Sequence, residues 1–518
     1  MNGGTAMDRR SALSSLAALG ASVAWPARAE PARAADFDAA AASSALLAPL
    51  KGVSDSSGEL AAPALLHGRW PAELQGRFYR NGPALFERAG ERYHHWFDGD
   101  GMVQQFSIGA GQVLHRGRLV RTSKLAAEQQ AGRFLLSALG TSIEGRAHGS
   151  GPDSFNTANT NALEHEGQLL ALWEGGSAYA MDPDDLSTRG PVTWRADLKG
   201  LPFSAHPKVD AAGHLWNIGS AGKHLVVWHI NPQGSLASVQ LAESPYPGGM
   251  VHDMAVSERH IVLPLPPVRL NFEKPALGPR RFALEAGQPL RVLVMDKNDV
   301  TKRRVFELPP QFVFHVGNAH DTADGAIELS FIGAPDATFL DQSAVAMMAG
   351  RPLPPNASTL QTVRLDLATG RAPLRAYEGD VEFPRIDPRR IGLPVRHIVT
   401  TAGWLPYSSR HGAMRHGVQV LDTHSGRTRR FDYGDQTLAE EHVLVPKPGR
   451  VGEGRGELDA WLLGTTYDAR RRATVLNLLD AAHVEDGPIA QAVLPYLLPL
   501  GFHGNFTAAC RLGRDDAA

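Results

Sequence analysis

Four histidines in this chain share one kind of local setting. They are His206 in Ser204-Ala205-His206-Pro207-Lys208, His252 in Met250-Val251-His252-Asp253-Met254, His315 in Phe312-Val313-Phe314-His315-Val316, and His503 in Gly501-Phe502-His503-Gly504-Asn505. Each begins or ends a short apolar run, and no two are spaced to share a turn or a helix face. The chain has 21 histidines, and a lone one beside apolar residues is ordinarily a satisfied core or surface residue. Only their shared setting, scattered along the chain, singles these four out. Four neutral imidazoles suit Fe(II), Cu or Zn. Structural zinc prefers a closed tetrahedron, commonly with thiolates, and this chain has a single cysteine, Cys510. Fe(2+) accepts further ligands, so four imidazoles leave positions open for O2 and a substrate. The expected chemistry is therefore that of a non-haem iron centre.

A ligating imidazole usually needs an acceptor for its second ring N–H, which fixes tautomer and direction. Carboxylates in apolar strand settings are Glu174 in Leu172-Trp173-Glu174-Gly175-Gly176, Glu382 in Val381-Glu382-Phe383-Pro384, and Glu441 in Glu441-His442-Val443-Leu444. A buried glutamate without a partner is costly, and the N–H of a metal-bound histidine would supply that partner.

For such residues to meet, the fold must return repeatedly to one axis. From about residue 60 the chain reads as short strands broken by turns. One pattern recurs: an apolar strand ends at Asp or Asn, a polar turn follows, and a second strand returns. It occurs at Asp182, Asn231, Asp296, Asp366, Asp422 and Asp480, and a hairpin of the same shape without Asp lies at 106–111. About seven hairpins at this spacing predict an all-β fold, a seven-bladed β-propeller, in which the innermost strand of each blade lines the axis. Segments 123–140 and 339–350 read as helices forming a small α-helical cap over the metal face. Gly140 is the expected stop of the first.

The 518 residues carry a net charge of −2 with no long basic run, which gives no support for nucleic-acid binding. Arg9-Arg10 precede an Ala/Leu-rich run over 12–24 and the small-residue end Ala27-Arg28-Ala29. This reads as a twin-arginine signal peptide. The expected organisation is a signal peptide and loose leader over 1–35 and a single β-propeller oxygenase domain over 36–518, with 36–60 a loose lead-in. The expected location is the periplasm, with a cytoplasmic or membrane-peripheral one as the alternative. An apolar outer face on the cap could touch a membrane or admit a greasy substrate.

These motifs together resemble the carotenoid cleavage oxygenase family, most closely its bacterial apocarotenoid oxygenases. The likeness runs from Gly76-Arg77-Phe78-Tyr79-Arg80-Asn81-Gly82-Pro83 through Trp96-Phe97-Asp98-Gly99-Asp100-Gly101 to Phe502-His503-Gly504, and it includes Ala158-Asn159-Thr160-Asn161. The resemblance implies Fe(2+) held by His206, His252, His315 and His503, with Glu174, Glu382 and Glu441 supporting three of them. It also implies that Thr160, assigned a catalytic role, crowds an open iron site with its methyl group. Oxygen would add across one C=C bond of a carotenoid or apocarotenoid to give two carbonyl products. Phenolic stilbenes or phenylpropenes are the alternative small hydrophobic alkene substrates. Lys124 and Tyr93 could serve a phenol through polar contacts, although a lysine on a loop is ordinarily solvated. Two residues depart from the family pattern: His320 is a rival ligand to His315, and His442 stands after Glu441 where proline is common. The reading from another class is a non-catalytic β-propeller binding module. A zinc hydrolase on the same ring is a further alternative.

Overall fold

A computed structural model describes residues 32–54, 59–141, 143, 151–270, 282–403, 415–448 and 456–509. Residues 1–31 of the expected leader and Cys510 lie outside the described residues.

The recurring Asp and Asn residues have a physical role in the structure. Each side chain accepts a hydrogen bond from the backbone N–H two residues on: Asp184 to Asp182, Gln233 to Asn231, Asn298 to Asp296, Ala368 to Asp366, His424 to Asp422 and Ala482 to Asp480. Such turns reverse the chain between two strands without help from elsewhere. In each case the turn joins the third and fourth strands of a sheet, and the hairpin at 106–111 takes the same place in its own sheet. The result is seven antiparallel sheets of four or five strands. They are the blades of a seven-bladed propeller.

The innermost strands, in chain order, are Asn161–His165, Lys208–Val209, Ala255–Val256, Phe312–Asp321, Asp380–Arg385, Thr437–Pro446 and His503–Ala508. Chain ends close the ring. His503–Ala508 pairs with Gly76–Leu85, setting His503 opposite Asn81. Leu65–Gly68 adds the outer strand of the preceding blade by pairing with Pro488–Val493. Backbones approach closely at this seam: a Cβ on Gly504 would lie 2.0 Å from the Tyr79 carbonyl oxygen. Only glycine fits directly after His503.

The small helical elements gather as a cap, as expected, with two corrections. The helix at Ser123 ends at Ala131, because Gly132 adopts φ +64° and its N–H closes back on the Gln129 carbonyl. The apolar residues Phe134, Leu135, Ala138 and Leu139 therefore belong to an irregular segment and not to the helical face that the periodicity suggests. The supposed loose lead-in is largely ordered. Ala34–Ser43 is a helix, Ala45–Lys51 a 3-10 turn, and Glu59–Pro63 a strand. Phe37, Leu46 and Leu50 pack with Trp96, Met347, Met348 and Phe502. Arg92 lies over the Phe37 ring at 3.7 Å, donates to the Leu50 and Met348 carbonyls, and so ties this segment down. The expected second helix is present as one π-turn, Phe339–Ser343, running into Ala344–Met348. Among the described residues no helix is long and apolar enough to cross a membrane.

Candidate metal centre

Each of the seven innermost strands supplies one residue to a common centre. Four supply histidines: His206 and His252 just before Lys208 and Ala255, His315 within Phe312–Asp321, and His503 at the start of the last strand. The other three supply Thr160, just before Asn161, and Glu382 and Glu441 within their strands. Glu174 reaches in from the loop after Gln168–Leu172.

Regular pleating would not aim all of these inward. Strand pairing shifts register between Val313 and Val316, between Glu382 and Arg385, and between Ala439 and His442. His315, Glu382 and Glu441 sit at these three irregularities, the usual device for re-aiming a side chain. Ala158, Ser204 and Phe383 adopt φ +46°, +72° and +54°. They flank Thr160, His206 and Glu382, so backbone strain is concentrated at the centre.

The Nε2 atoms of the four buried histidines converge. His206 and His252 are 3.0 Å apart, His252 and His315 3.3 Å, and His315 and His503 3.1 Å. All four ligand atoms lie within 4.8 Å of one another. On the other side of the rings, His252 Nδ1 is 3.0 Å from Glu174 Oε1 and His503 Nδ1 is 2.9 Å from Glu441 Oε1. His315 Nδ1 makes a short bond to Glu382 Oε2. Among the described residues His206 has no such partner, with Asp253 Oδ1 at 3.9 Å.

The carboxylates are held ionised. Burial pushes Glu174 up, but the His252 ring N–H and the Thr160 hydroxyl outweigh it and keep it below its ordinary value. Burial likewise opposes, and His315 with Arg415 overcomes, the shift of Glu382. For Glu441 burial is outweighed by Arg385 and His503, which hold it far down. An ionised carboxylate only accepts, so Nδ1 carries the proton in His252, His315 and His503. Burial, aided by the neighbouring imidazoles, drives His206 well below its usual range, and burial takes His503 down to about 4 despite Glu441. The four Nε2 atoms face one another at about hydrogen-bond distance. A single cation at their centre satisfies all four at once.

The residues present fit such an ion. Nitrogens at about 2.1 Å in a tetrahedron stand about 3.4 Å apart, against about 3.0 Å for neighbouring ligands of an octahedron. The observed 3.0 and 3.1 Å separations lie nearer the second arrangement and the 3.3 Å one nearer the first. Glu382→Gln keeps the shape and loses the charged acceptor. It is expected to weaken metal binding about 10- to 100-fold, checked by titrating apo protein with Co(II).

Aromatic rings wall the centre. Phe314 stacks on His252 at 3.8 Å and Phe383 lies 5.2 Å from His315. Phe97 contacts both Phe314 and Phe502. Glu174 keeps 30% of its side chain accessible. The Thr160 hydroxyl donates to Glu174 Oε2 at 3.1 Å. The Thr160 carbonyl accepts from the His503 backbone N–H at 3.3 Å.

The comparisons agree with this geometry. The sequence model of the retinal pigment epithelial membrane protein family matches residues 54–508. The chain belongs to that family, the carotenoid cleavage oxygenases. Apocarotenoid-15,15'-oxygenase of Synechocystis is 29% identical over 85% of this chain and 92% of its own length. Lignostilbene-alpha,beta-dioxygenase isozyme III of Sphingomonas paucimobilis is 29% identical over 86% of this chain and 94% of its own. The crystal structure of cobalt-substituted Synechocystis apocarotenoid oxygenase superposes with a TM-score of 0.78 at 26% identity, covering 90% of this chain and 99% of that one. The four-histidine cluster, which could hold a metal ion, thus lies in a chain whose relatives include dioxygenases.

Other expectations find their places here. His320 lies at the far end of the His315 strand, 3.6 Å from Glu328, and takes no part in the cluster. His442 points away from the centre, accepting from the Tyr433 hydroxyl at 2.8 Å, and leaves Glu441 on His503. Asp98 is structural, accepting from the Gly140 N–H and the Thr141 hydroxyl. Lys124 is not solvated. It sits on the Ser123–Ala131 helix, buried, and donates to the Tyr93 hydroxyl at 2.7 Å, Asp100 at 2.9 Å and Glu128 at 3.0 Å. Sequence reasoning missed Arg385, which donates through Nε and Nη2 to the two oxygens of Glu441, both at 2.8 Å. It follows Glu382 by three positions, which strand alternation assigns to the opposite face. The bulge between them removes that objection.

Proposed function

We propose that this chain is an Fe(II)-dependent dioxygenase that cleaves one C=C bond of a carotenoid or apocarotenoid. R–CH=CH–R′ and O2 give R–CHO and R′–CHO, both oxygen atoms leaving in the carbonyl products. The observation behind this reading is the convergence of four buried histidine Nε2 atoms beneath an aromatic wall. When bound, Fe(II) supplies a redox-active Lewis acid with open positions beside the alkene. The protein's own part is to exclude, orient and hold. Phe97, Phe314 and Phe383 offer flat apolar surfaces to a conjugated chain. Thr160 restricts approach on the Glu174 side, and Glu174, Glu382 and Glu441 hold three imidazoles in one tautomer. No protein acid or base is required, because no proton leaves the substrate.

A second reading is a phenolic stilbene or phenylpropene substrate. Tyr93 and Lys124, the expected polar contacts to a phenol, are instead fully buried and bonded to each other at 2.7 Å and to Glu128, so they do not carry it. The relation to a lignostilbene dioxygenase supports this reading at the same 29% identity. The proposal extends to a periplasmic location, which Arg9-Arg10 ahead of the apolar run supports.

Incubating iron-loaded protein with O2 and either an apocarotenal or a 4-hydroxystilbene tests both readings. Two carbonyl products from the apocarotenal, restored after chelation by Fe(II) and not by Zn(II), are expected. Preferential cleavage of the hydroxystilbene transfers the assignment to the phenolic reading. Intact substrates at full iron occupancy refute the enzyme.

A further inference from the structure

We propose that Arg385 is the positioning residue for His503, acting through Glu441, and that it ties the ring-closing strand to the metal centre. The inference rests on reading the four histidines as a metal site. His503 is the ligand most exposed to slippage, because it begins the last innermost strand, whose ladder partner is Gly76–Leu85. Arg385 grips that strand from the far side. Its Nη2 donates to the Gly504 carbonyl at 2.7 Å as well as to Glu441 Oε2, and its Nη1 reaches Asn505 Oδ1 at 3.5 Å. Glu441 returns the contact, accepting from the Gly504 N–H and the His503 Nδ1–H, both at 2.9 Å. The carboxylate thus takes two bonds from the guanidinium fork and two from the closing strand. A planar fork matched to a carboxylate fixes orientation as well as charge.

The three glutamates are not equivalent. Glu174 is shared between His252 and Thr160, and Glu382 between His315 and the Phe383 N–H. Glu441 is bonded through both oxygens by Arg385. One bulged strand therefore serves two ligands, with Glu382 on His315 and Arg385, through Glu441, on His503.

Apo protein titrated with Co(II), read by the visible spectrum of the bound ion, provides the test. Arg385→Gln is expected to bind about 10- to 100-fold more weakly with an altered spectrum, as His503 loosens. Arg385→Lys, which keeps the charge without the fork, should fall between it and wild type. In a Glu441→Gln background, Arg385→Gln should add no further loss. Wild-type affinity and spectrum in Arg385→Gln, or losses that multiply in the double variant, overturn the proposal. Should Arg385→Gln fail to fold, Arg385→Lys decides: weakened binding supports the role and wild-type binding overturns it. Failure of the wild-type protein to bind Co(II) instead removes the metal-site reading itself.

Discussion

His252→Ala is expected to bind iron or cobalt more than about 100-fold more weakly than wild type, a loss exceeding that for an outer partner, and to lose alkene cleavage with it. The reason is particular to this ligand. His252 stands between His206 at 3.0 Å and His315 at 3.3 Å, so its removal opens the middle of the cluster. It also strips Glu174 of its ring N–H donor and Phe314 of the ring it stacks on. Glu174 keeps the Thr160 hydroxyl at 3.1 Å. Metal content by elemental analysis after loading, with circular dichroism to show that the propeller persists, checks this. Full metal occupancy in the variant contradicts it.

Lys124→Met should lower stability by about 3–5 kcal/mol, the cost of removing one partner from a buried ion cluster. Asp100 and Glu128 are 1% and 0% exposed, and Lys124 bonds both. Burial pushes the Asp100 carboxyl up and Lys124 opposes that shift. Without the ammonium, Asp100 keeps Arg88 at 3.7 Å as its nearest cation. Glu128 also accepts from the Leu135 and Leu136 N–H groups, so the irregular cap segment should loosen as well. A lower melting temperature with faster hydrogen exchange at 134–136 is expected. An unchanged melt contradicts the picture of a sealed cluster.

Much of the architecture is legible in the residues because local chemistry and global fold agree. The Asp and Asn at strand ends make their turns with their own side chains, so the blade repeat survives as a sequence pattern. The histidines and glutamates stand out because ionisable groups inside apolar strands need partners. Legibility fails where tertiary structure overrides periodicity. Gly132 stops a helix that the apolar spacing continues, and the Ala-rich segment over 34–43 lacks the amphipathic signal that would announce its docking on Arg92. The burial of Lys124 depends on Asp100, Tyr93 and Glu128, brought together only by the cap. Arg385 is concealed by a bulge, which no alternation rule foresees.

X-ray absorption at the iron edge of the Fe(II)-loaded protein addresses the coordination directly. Four imidazole nitrogens around each bound iron, reduced by one in His503→Ala, are predicted. A shell dominated by carboxylate oxygens, or iron that washes off the intact protein, would leave the propeller without a centre of this kind.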